Sequence, residues 1–179
     1  MTREVGMTAD KHQDVCPEVR LIPATETDRA AVERMFVFYI YDMSAYFQGP
    51  CAVDGHATPY PWLPLYWSEP ERHAMLIDVA GQTAGFVLFR ALDDGPQPHH
   101  ELAEFYVMPR FRRRGVGRAA ARQAFELKRG HWRVAQLPSN LPGIAFWQSV
   151  IASVPTYWSQ QATELKDGMQ INVMRFRSR

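Results

Sequence analysis

A short, strongly basic stretch with two glycines constrains the fold of this chain more than any other feature. Residues 112–120 read RRRGVGRAA and follow an apolar stretch at 101–108 that predicts a strand. They also open residues 118–129, whose apolar positions recur at helical spacing. A helix begins with unpaired backbone N–H groups and partial positive charge, and glycines let a ligand approach the backbone closely. The stretch therefore predicts a site for phosphate or pyrophosphate.

Two common phosphate-binding motifs do not fit this stretch. A P-loop requires Gly-Lys-Ser/Thr, whereas Gly117 is followed by Arg118 and an alanine. The spacing Gly115-x-Gly117-x-x-Ala120 matches the dinucleotide-binding pattern, but in that fold the glycines lie at the first strand–helix turn. That pattern also needs an acidic residue about 20 positions further on, where this chain has Ala-Gln-Leu at 135–137. We therefore exclude NAD, and coenzyme A remains as the phosphate-bearing ligand.

The first half of the chain predicts a strand, a helix and a hairpin. Residues 18–23 alternate between apolar and polar side chains, which is typical of a strand. Residues 28–41 follow a cluster of capping residues and carry apolar side chains at helical spacing. Two further strands, at 73–80 and 83–92, are expected to form a hairpin that turns at Gly81-Gln82.

The second half of the chain continues with alternating strands and helices. The strand at 101–108 and the helix at 118–129 enclose the basic loop, and we expect Gly130 to cap the end of that helix. The remaining predicted elements are a strand at 132–137, a short helix at 143–152 and closing strands at 156–161 and 170–176 around Asp167-Gly168. Such a mixed order indicates an α+β fold rather than a strictly alternating one.

One irregular segment and one polar leader complete the predicted organisation. Residues 41–70 are rich in aromatics and prolines and are too long for a plain connection, so we expect a short second helix and a loop. This loop forms either a hydrophobic flap over the core or, through residues 41–67, one wall of an acceptor pocket. Residues 1–17 predict a mobile tail. The absence of repeats favours a single domain over 18–179.

Composition excludes several classes of protein. The formal charge is only +1, from 20 Lys and Arg against 19 Asp and Glu, so no overall field attracts nucleic acid or anionic lipid. Two cysteines, Cys16 and Cys51, do not make a disulfide framework, which favours a reducing cytoplasm. The longest uncharged run, 134–163, contains three prolines and cannot span a membrane as a helix. His99-His100 has no accompanying ligand set, so we expect no metal.

The basic loop and its surroundings resemble the core of the GNAT superfamily of N-acetyltransferases. The resemblance rests on two motifs of that family. The first is Q/R-x-x-G-x-G/A after an apolar strand, and the second is the later segment N-x-x-A-x-x-F/Y-Y. The matching residues are Tyr106, Val107, Pro109, Arg112, Gly115 and Gly117, followed by Asn140 and Phe146-Trp147. Residues 38–44, 84–86 and 103–107 are similar to a bacterial subgroup of predicted acetyltransferases. The resemblance implies the GNAT fold, a mixed, mostly antiparallel central sheet of six to seven strands flanked by about four helices.

The resemblance also implies how acetyl-CoA would be bound. The strand before the loop would pair its backbone at Tyr106, Val107 and Met108 with the pantetheine arm of the coenzyme. The N–H of Val107 would lie where the thioester oxygen becomes negative, an oxyanion-hole role. Asn140 would touch the arm from the following loop. The pyrophosphate would be held by backbone N–H groups of the basic loop, namely those of Arg112, Arg113, Arg114, Gly115, Val116, Gly117 and Arg118. Trp147 is the aromatic residue that completes the implied site.

Two glutamates on the motif strand are alternatives for a general base. A lysine-like acceptor amine has a pKa near 10.4 and must lose a proton before it can attack. Glu101 stands where histone-type members of the family carry their base, counted back from Arg112, and Glu104 lies closer to the expected thioester. Regular alternation would put the two on opposite faces of the sheet, and a bulge would change that parity.

The sequence departs from the family pattern at the general acid. Many members protonate the leaving thiolate with a Tyr, and Trp147 occupies that position here. An indole N–H only donates hydrogen bonds and is no useful acid. Coenzyme A would then leave as the thiolate, or Tyr106 or Tyr157 would serve. Gly143 also stands where Ala is usual.

Three hypotheses follow for the function. The first is an N-acetyltransferase that moves an acetyl group from acetyl-CoA to a primary amine of a small molecule or peptide in a ternary complex. The second is a catalytically silent coenzyme A sensor, for which Trp147 is the motivation. The third, a nucleic-acid binder that uses the arginines, is disfavoured by the neutral net charge. A homodimer through the C-terminal strands is compatible with all three hypotheses.

Overall fold

The computed structural model describes residues 17–46, 60–93, 99–166 and 168–179. The predicted tail up to residue 16, both cysteines and residues 47–59 of the irregular segment lie outside these ranges. The predicted turns at residues 94–98 and at Asp167 do so as well.

Seven strands form one sheet in the order β1-β2-β3-β4-β5-β7-β6. Every neighbouring pair is antiparallel except β4 and β5, which run parallel. The α+β class and the mostly antiparallel sheet predicted from the sequence are thereby confirmed. The strands are β1 (Val19–Pro23), β2 (Arg72–Val79), β3 (Gln82–Leu92), β4 (His99–Val107), β5 (Gly130–Gln136), β6 (Thr156–Lys166) and β7 (Met169–Ser178).

Within the described residues, three α-helices flank the sheet: α1 (Arg29–Met43), α2 (Val116–Leu127) and α3 (Leu141–Ser153). Short 3-10 helices cover Glu26–Asp28, Leu63–Trp67 and Pro109–Phe111. The chain enters α1 through the first of these turns, where Thr25 and Asp28 form a capping box. The second turn is the helical element of the irregular segment in the described range 60–70.

Two predicted chain reversals differ from the structure. The β2–β3 hairpin turns at Ala80-Gly81 rather than at Gly81-Gln82, with φ of 50° and 78° at the two turn residues. Positive φ at both central positions is the geometry whose twist matches that of the flanking strands. Gly130 does not cap α2: the helix ends at Leu127, and Gly130 is the first residue of β5.

The sheet separates two hydrophobic cores. On one face, α2 and α3 cover a core that contains Phe89, Phe125 and Trp132. On the other face, α1 and the Leu63–Trp67 turn cover a second core around Phe36 and Phe86. Because side chains alternate along each strand, the central strands β3 and β4 contribute to both cores.

A bulge in β4 sets which side chains reach each face. Leu88 of β3 pairs with Glu104, and the next residue, Phe89, pairs with Leu102, so Ala103 is the extra residue. Glu101 and Glu104 consequently face the same layer, the one that holds α1. The alternative in which regular alternation puts them on opposite faces is therefore wrong.

The two parallel strands separate after a short pairing. β4 and β5 are paired only at the three positions from His100 to Leu102, opposite Trp132 to Val134. Beyond that point β4 continues to Val107 and β5 to Gln136 without pairing to each other. The separation leaves a gap in the middle of the sheet, and this gap positions the candidate site.

Candidate active site

A cavity of about 220 Å³ occupies the gap between β4 and β5. It opens toward both faces of the sheet, since its walls include residues of α1 on one side and of α3 on the other. Its lining comprises Tyr39 and Met43 of α1, residues 102–105 of β4, residues 134–137 at the end of β5, Asn140, Trp147, Lys166 and Ile171.

Glu104 is the carboxylate in this cavity, and its environment suits a proton acceptor. The Tyr39 hydroxyl donates a hydrogen bond to Glu104 Oε2 at 2.5 Å. Burial raises the pKa of the Glu104 carboxyl to about 7, although hydrogen bonds from Tyr39 and Tyr60 oppose this rise. A carboxylate with a pKa near neutrality can take up and release a proton at working pH.

Glu101 has a different environment and lies outside the cavity lining. It is only 4% exposed, and Arg90 donates to its Oε2 from Nη2 at 2.6 Å and from Nε at 2.9 Å. Arg133 binds its other oxygen. This network continues from Arg133 to Glu164 at 3.6 Å. Because both oxygens are held by guanidinium groups, the structure favours Glu104 over Glu101 as the base and makes Glu101 part of an ion-pair network across the sheet.

The loop that the sequence predicts to hold a phosphate leads directly into α2. Gly115 precedes the helix with φ of 80°, and Arg113 also has a left-handed φ, of 61°. The first helical hydrogen bond runs from the Ala119 N–H to the Gly115 carbonyl at 3.0 Å. The N–H groups of residues 116–118 therefore have no carbonyl partner within the helix. A loop with left-handed residues before a helix N-terminus is a concave arrangement suited to an anion.

Several arginine side chains of the loop are held by the protein itself. Arg112 donates from Nε to the Val107 carbonyl at 2.6 Å and forms an ion pair with Asp42 of α1. Arg118 donates from Nη2 to the Ser149 hydroxyl of α3 at 2.7 Å. These contacts brace the loop against α1 and α3. The backbone of the loop, rather than these two side chains, is therefore the part available to face an anion.

The backbone of β4 presents its last residues to the gap. The Met108 N–H donates to the Ala84 carbonyl of β3 at 2.8 Å. Since successive residues of a strand direct their backbone groups to opposite edges, the N–H of Val107 points away from β3, toward the gap. Tyr106 carries its side chain into the α1 face, where the ring packs against Phe86 and Tyr39.

Three other residues expected at the site have contacts that the sequence does not reveal. Asn140 caps α3, because its Oδ1 accepts from the Gly143 N–H at 2.9 Å, while its Nδ2 faces the Met43 sulfur at 4.0 Å. Trp147 lines the cavity and contacts Phe105 edge to face at 5.1 Å. A Cβ on Gly117 would lie 3.3 Å from the Phe146 ring, so this glycine fits α2 against α3.

The two tyrosines considered for the acid step do not line the cavity. Tyr157 is 61% exposed on β6, with the guanidinium groups of Arg177 and Arg179 near its ring. Tyr106 stands beside the cavity under Arg112. Tyr39 is the tyrosine that lines the cavity among the described residues. The sequence indicates it only as one of the apolar positions of the helix predicted at 28–41.

Sequence reasoning also missed Gln136 and Lys166, which line the same cavity. The ends of β5 and β6 carry no motif of their own, and only the folded sheet brings them to β4.

Among residues 17–46, 60–93, 99–166 and 168–179, no group of three or more His, Cys, Asp or Glu is arranged to hold a metal ion. No helix in this part of the chain is long and apolar enough to cross a membrane.

Comparison with known proteins identifies the family. Residues 39–150 match the model of the acetyltransferase (GNAT) family. This match covers the end of α1, the basic loop and most of α3. The chain therefore belongs to the GNAT acetyltransferase family. No curated protein matches the chain.

Solved structures share the fold at low sequence identity. Aminoglycoside acetyltransferase AAC(6')-Ib in complex with coenzyme A is 14% identical, with a TM-score of 0.64 over 90% of this chain and 95% of that one. An acetyltransferase from Thermus thermophilus is 14% identical, with a TM-score of 0.61 over 89% of this chain and 97% of that one. The structure of yncA from Salmonella typhimurium with its cofactor acetyl-CoA is 13% identical, with a TM-score of 0.55 over 89% of this chain and 94% of that one.

Proposed function

We propose that this protein is an acetyl-CoA-dependent N-acetyltransferase that acts on a primary amine of a small molecule or peptide. The observation that carries the proposal is the partly buried Glu104 carboxyl, whose pKa of about 7 fits a base, in a cavity between the separated strands. Family membership and the structures solved with coenzyme A or acetyl-CoA support the donor.

The chain supplies two sites on opposite faces of the sheet. The anion-facing loop at the start of α2 would hold the pyrophosphate, and Asn140 and Val107 would border the arm of the donor. The amine would enter on the α1 face, where Glu104 and Tyr39 meet. This arrangement puts donor and acceptor on either side of the gap, so both can be bound at once.

Proton transfer to Glu104 prepares the amine for attack. The ammonium group gives one proton to the Glu104 carboxylate, directly or through one water molecule, and the neutral nitrogen then attacks the thioester carbonyl. The N–H of Val107 would stabilise the negative oxygen. The carbon–sulfur bond breaks and the sulfur leaves with the electron pair. The remaining extra proton passes from the amide nitrogen to the thiolate of coenzyme A, directly or through water, and Glu104 releases its proton to solvent. Burial raises the pKa of Tyr39 well above its usual value, so Tyr39 stays protonated and acts as a hydrogen-bond donor rather than as a proton donor.

A thiol-release assay tests the proposal. Purified protein is incubated with acetyl-CoA and a panel of small amines and peptides, and free coenzyme A is measured with a thiol reagent. We expect amine-dependent release that falls about 100-fold or more in Glu104→Gln. The control is Glu126→Gln, an exposed carboxylate on α2. Release that Glu104→Gln leaves unchanged would contradict the role of Glu104.

The second candidate function is a silent coenzyme A sensor, and Trp147 is the observation that favours it. The indole occupies the position of the family's acid and is packed among Phe105, Phe125 and Phe146. This function predicts acetyl-CoA binding with no turnover on any amine. The same assay, with donor binding measured in parallel, therefore separates the two functions.

A further inference from the structure

One buried side chain in the cavity has no hydrogen-bond partner. Gln136, the last residue of β5, is only 6% exposed and lines the cavity. Neither its Oε1 nor its Nε2 has a partner among the described residues. A buried amide without partners destabilises a fold, and native proteins leave few such groups. An amide retained in this position is therefore expected to have a ligand.

The chemistry of the side chain defines the group that it would bind. A primary amide offers an acceptor and two donors side by side. A secondary amide of a ligand offers one carbonyl and one N–H, so the two groups can form reciprocal hydrogen bonds. A carboxylate or a phosphate would satisfy only the Nε2 of Gln136, and an apolar group would satisfy neither atom.

The face of the sheet decides which substrate brings that amide. Trp132, Val134 and Gln136 alternate to one face of β5, and Trp132 packs against Phe125 of α2 at 4.9 Å. Gln136 therefore points to the α2 and α3 side. The anion-facing loop opens α2 on this same side, whereas Glu104 is bonded to Tyr39 of α1 on the other.

We propose that Gln136 is a positioning residue that binds a secondary amide of the pantetheine arm of acetyl-CoA. The inference rests on the proposed function, because it requires the donor to reach from the start of α2 into the gap. The reciprocal hydrogen bonds fix the depth of the arm, and thereby place the thioester between Val107 and Glu104. The acceptor amine, on the α1 face, makes no contact with Gln136.

The first test replaces the amide with an apolar side chain of similar shape. Gln136→Met removes both polar atoms, so we expect the melting temperature of the free protein to stay equal or rise, since an unpaired buried amide is lost. We expect the Kd for acetyl-CoA to increase about 10-fold, because two neutral hydrogen bonds are lost. A merely structural role predicts the reverse pattern, with a lower melting temperature and an unchanged Kd.

A second test locates the amide by shortening the donor. Acetyl-pantetheine keeps both amides of the arm, S-acetyl-N-acetylcysteamine keeps one, and S-ethyl thioacetate has none. We expect Gln136→Met to lower kcat/KM for the donors that keep the contacted amide and to leave the rate with S-ethyl thioacetate unchanged. An equal loss with all donors would overturn the proposal.

Controls distinguish failure of this inference from failure of the proposed function. Gln148→Met changes an exposed amide on α3 and should alter neither the Kd nor the melting temperature. If the wild-type protein does not bind acetyl-CoA, the proposed function fails. If wild type and Gln136→Met bind acetyl-CoA equally well, only the role of Gln136 fails. An increase in the KM of the amine, with an unchanged Kd for acetyl-CoA, would instead assign the amide to the acceptor and overturn the proposal as stated.

Discussion

At the scale of single residues, Glu104 combines the proposed role of general base with a cost to the stability of the folded protein. The carboxyl is partly buried in the cavity wall, and this burial raises its pKa to about 7, well above the value of about 4.3 in an unfolded chain. The folded protein therefore holds this proton more tightly than the unfolded chain does. The contribution of this carboxyl to the free energy of unfolding therefore falls as pH rises from about 4.3 to about 7, and it stays at the lower level above that range.

The stability of Glu104→Gln tests this account. The variant cannot ionise, so its advantage over wild type should grow between about pH 4.5 and pH 8, by up to about 3 kcal/mol. Urea unfolding of both proteins at these two pH values measures the difference. Glu126→Gln, which alters an exposed carboxylate, should show little change. A stability difference for Glu104→Gln that does not depend on pH would contradict the raised pKa.

The hydroxyl of Tyr39 should set the pH at which kcat/KM falls on the acid side of its pH profile. Its hydrogen bond stabilises the Glu104 carboxylate and so lowers the pKa of this group. Tyr39→Phe keeps the ring but removes that bond, and the pKa of Glu104 must rise. Activity requires the carboxylate, so the acid limb of kcat/KM should move to higher pH. Loss of a hydrogen bond to a charged group, about 1.5–3 kcal/mol, predicts roughly tenfold lower kcat/KM at about pH 6.

A neighbouring tyrosine provides the control for this experiment. Tyr41 lies on the same helix and is 77% exposed, so Tyr41→Phe should leave the pH profile unchanged. A profile of Tyr39→Phe that coincides with that of wild type, or moves to lower pH, would show that Glu104 is not the group whose ionisation controls the rate.

Residues of the site differ in how far the sequence reveals them. Glu104 could be selected as a candidate because it lies on the motif strand, but the side it faces depends on the bulge at Ala103. Bulges have no reliable signature in a single sequence. Tyr39 looked like an ordinary member of an apolar helix face, and Gln136 like the end of a strand. Their roles depend on contacts between elements that are far apart in the chain.

At the scale of elements, the site exists because β4 and β5 pair over only three positions. On its other side β4 pairs with β3, and the backbones of these two strands lie very close together at Gly85. A Cβ on Gly85 would lie 1.9 Å from the Tyr106 carbonyl oxygen, far inside any allowed contact. The glycine therefore permits the close approach between β3 and the end of β4.

Gly85→Ala tests this packing. The added methyl group meets backbone rather than a movable side chain, so β4 must shift, and we expect a loss of about 2–3 kcal/mol in unfolding free energy. The donor site should weaken as well, because the end of β4 borders it. Gly81→Asn is the matched control: its Cβ would meet open space, and Asn tolerates the left-handed φ of 78°. Equal stability of Gly85→Ala and wild type would contradict the close approach.

The order of elements followed from hydrophobic periodicity, while their ends did not. All seven strands and the three α-helices lie where the apolar patterns indicated. The closing strands are longer than predicted, because β6 and β7 pair along most of their length and polar residues continue the ladder. The hairpin turn moved by one residue because Ala80 adopts a φ of 50°, a conformation that the rules expect of glycine or asparagine.

At the scale of the whole molecule, the proposed function puts the donor and the acceptor on opposite sides of the sheet. The family could be predicted because the donor side is built from local sequence: a strand, a glycine-rich basic loop and a helix follow one another directly. The acceptor side is built from α1, β4, β6 and Tyr60, which are distant in sequence. No local motif encodes that surface, and this is why the family resemblance implies a donor but no particular amine.

The proposed coenzyme A site can be tested by calorimetric titration of the purified protein with acetyl-CoA, with NAD as the control ligand. We expect one binding event per chain with a micromolar or lower Kd for acetyl-CoA and no measurable binding of NAD. The α2 loop and the gap between β4 and β5 suit the pyrophosphate and arm of coenzyme A. Absence of acetyl-CoA binding, or binding of NAD with equal affinity, would contradict the claim that this cavity is a coenzyme A site.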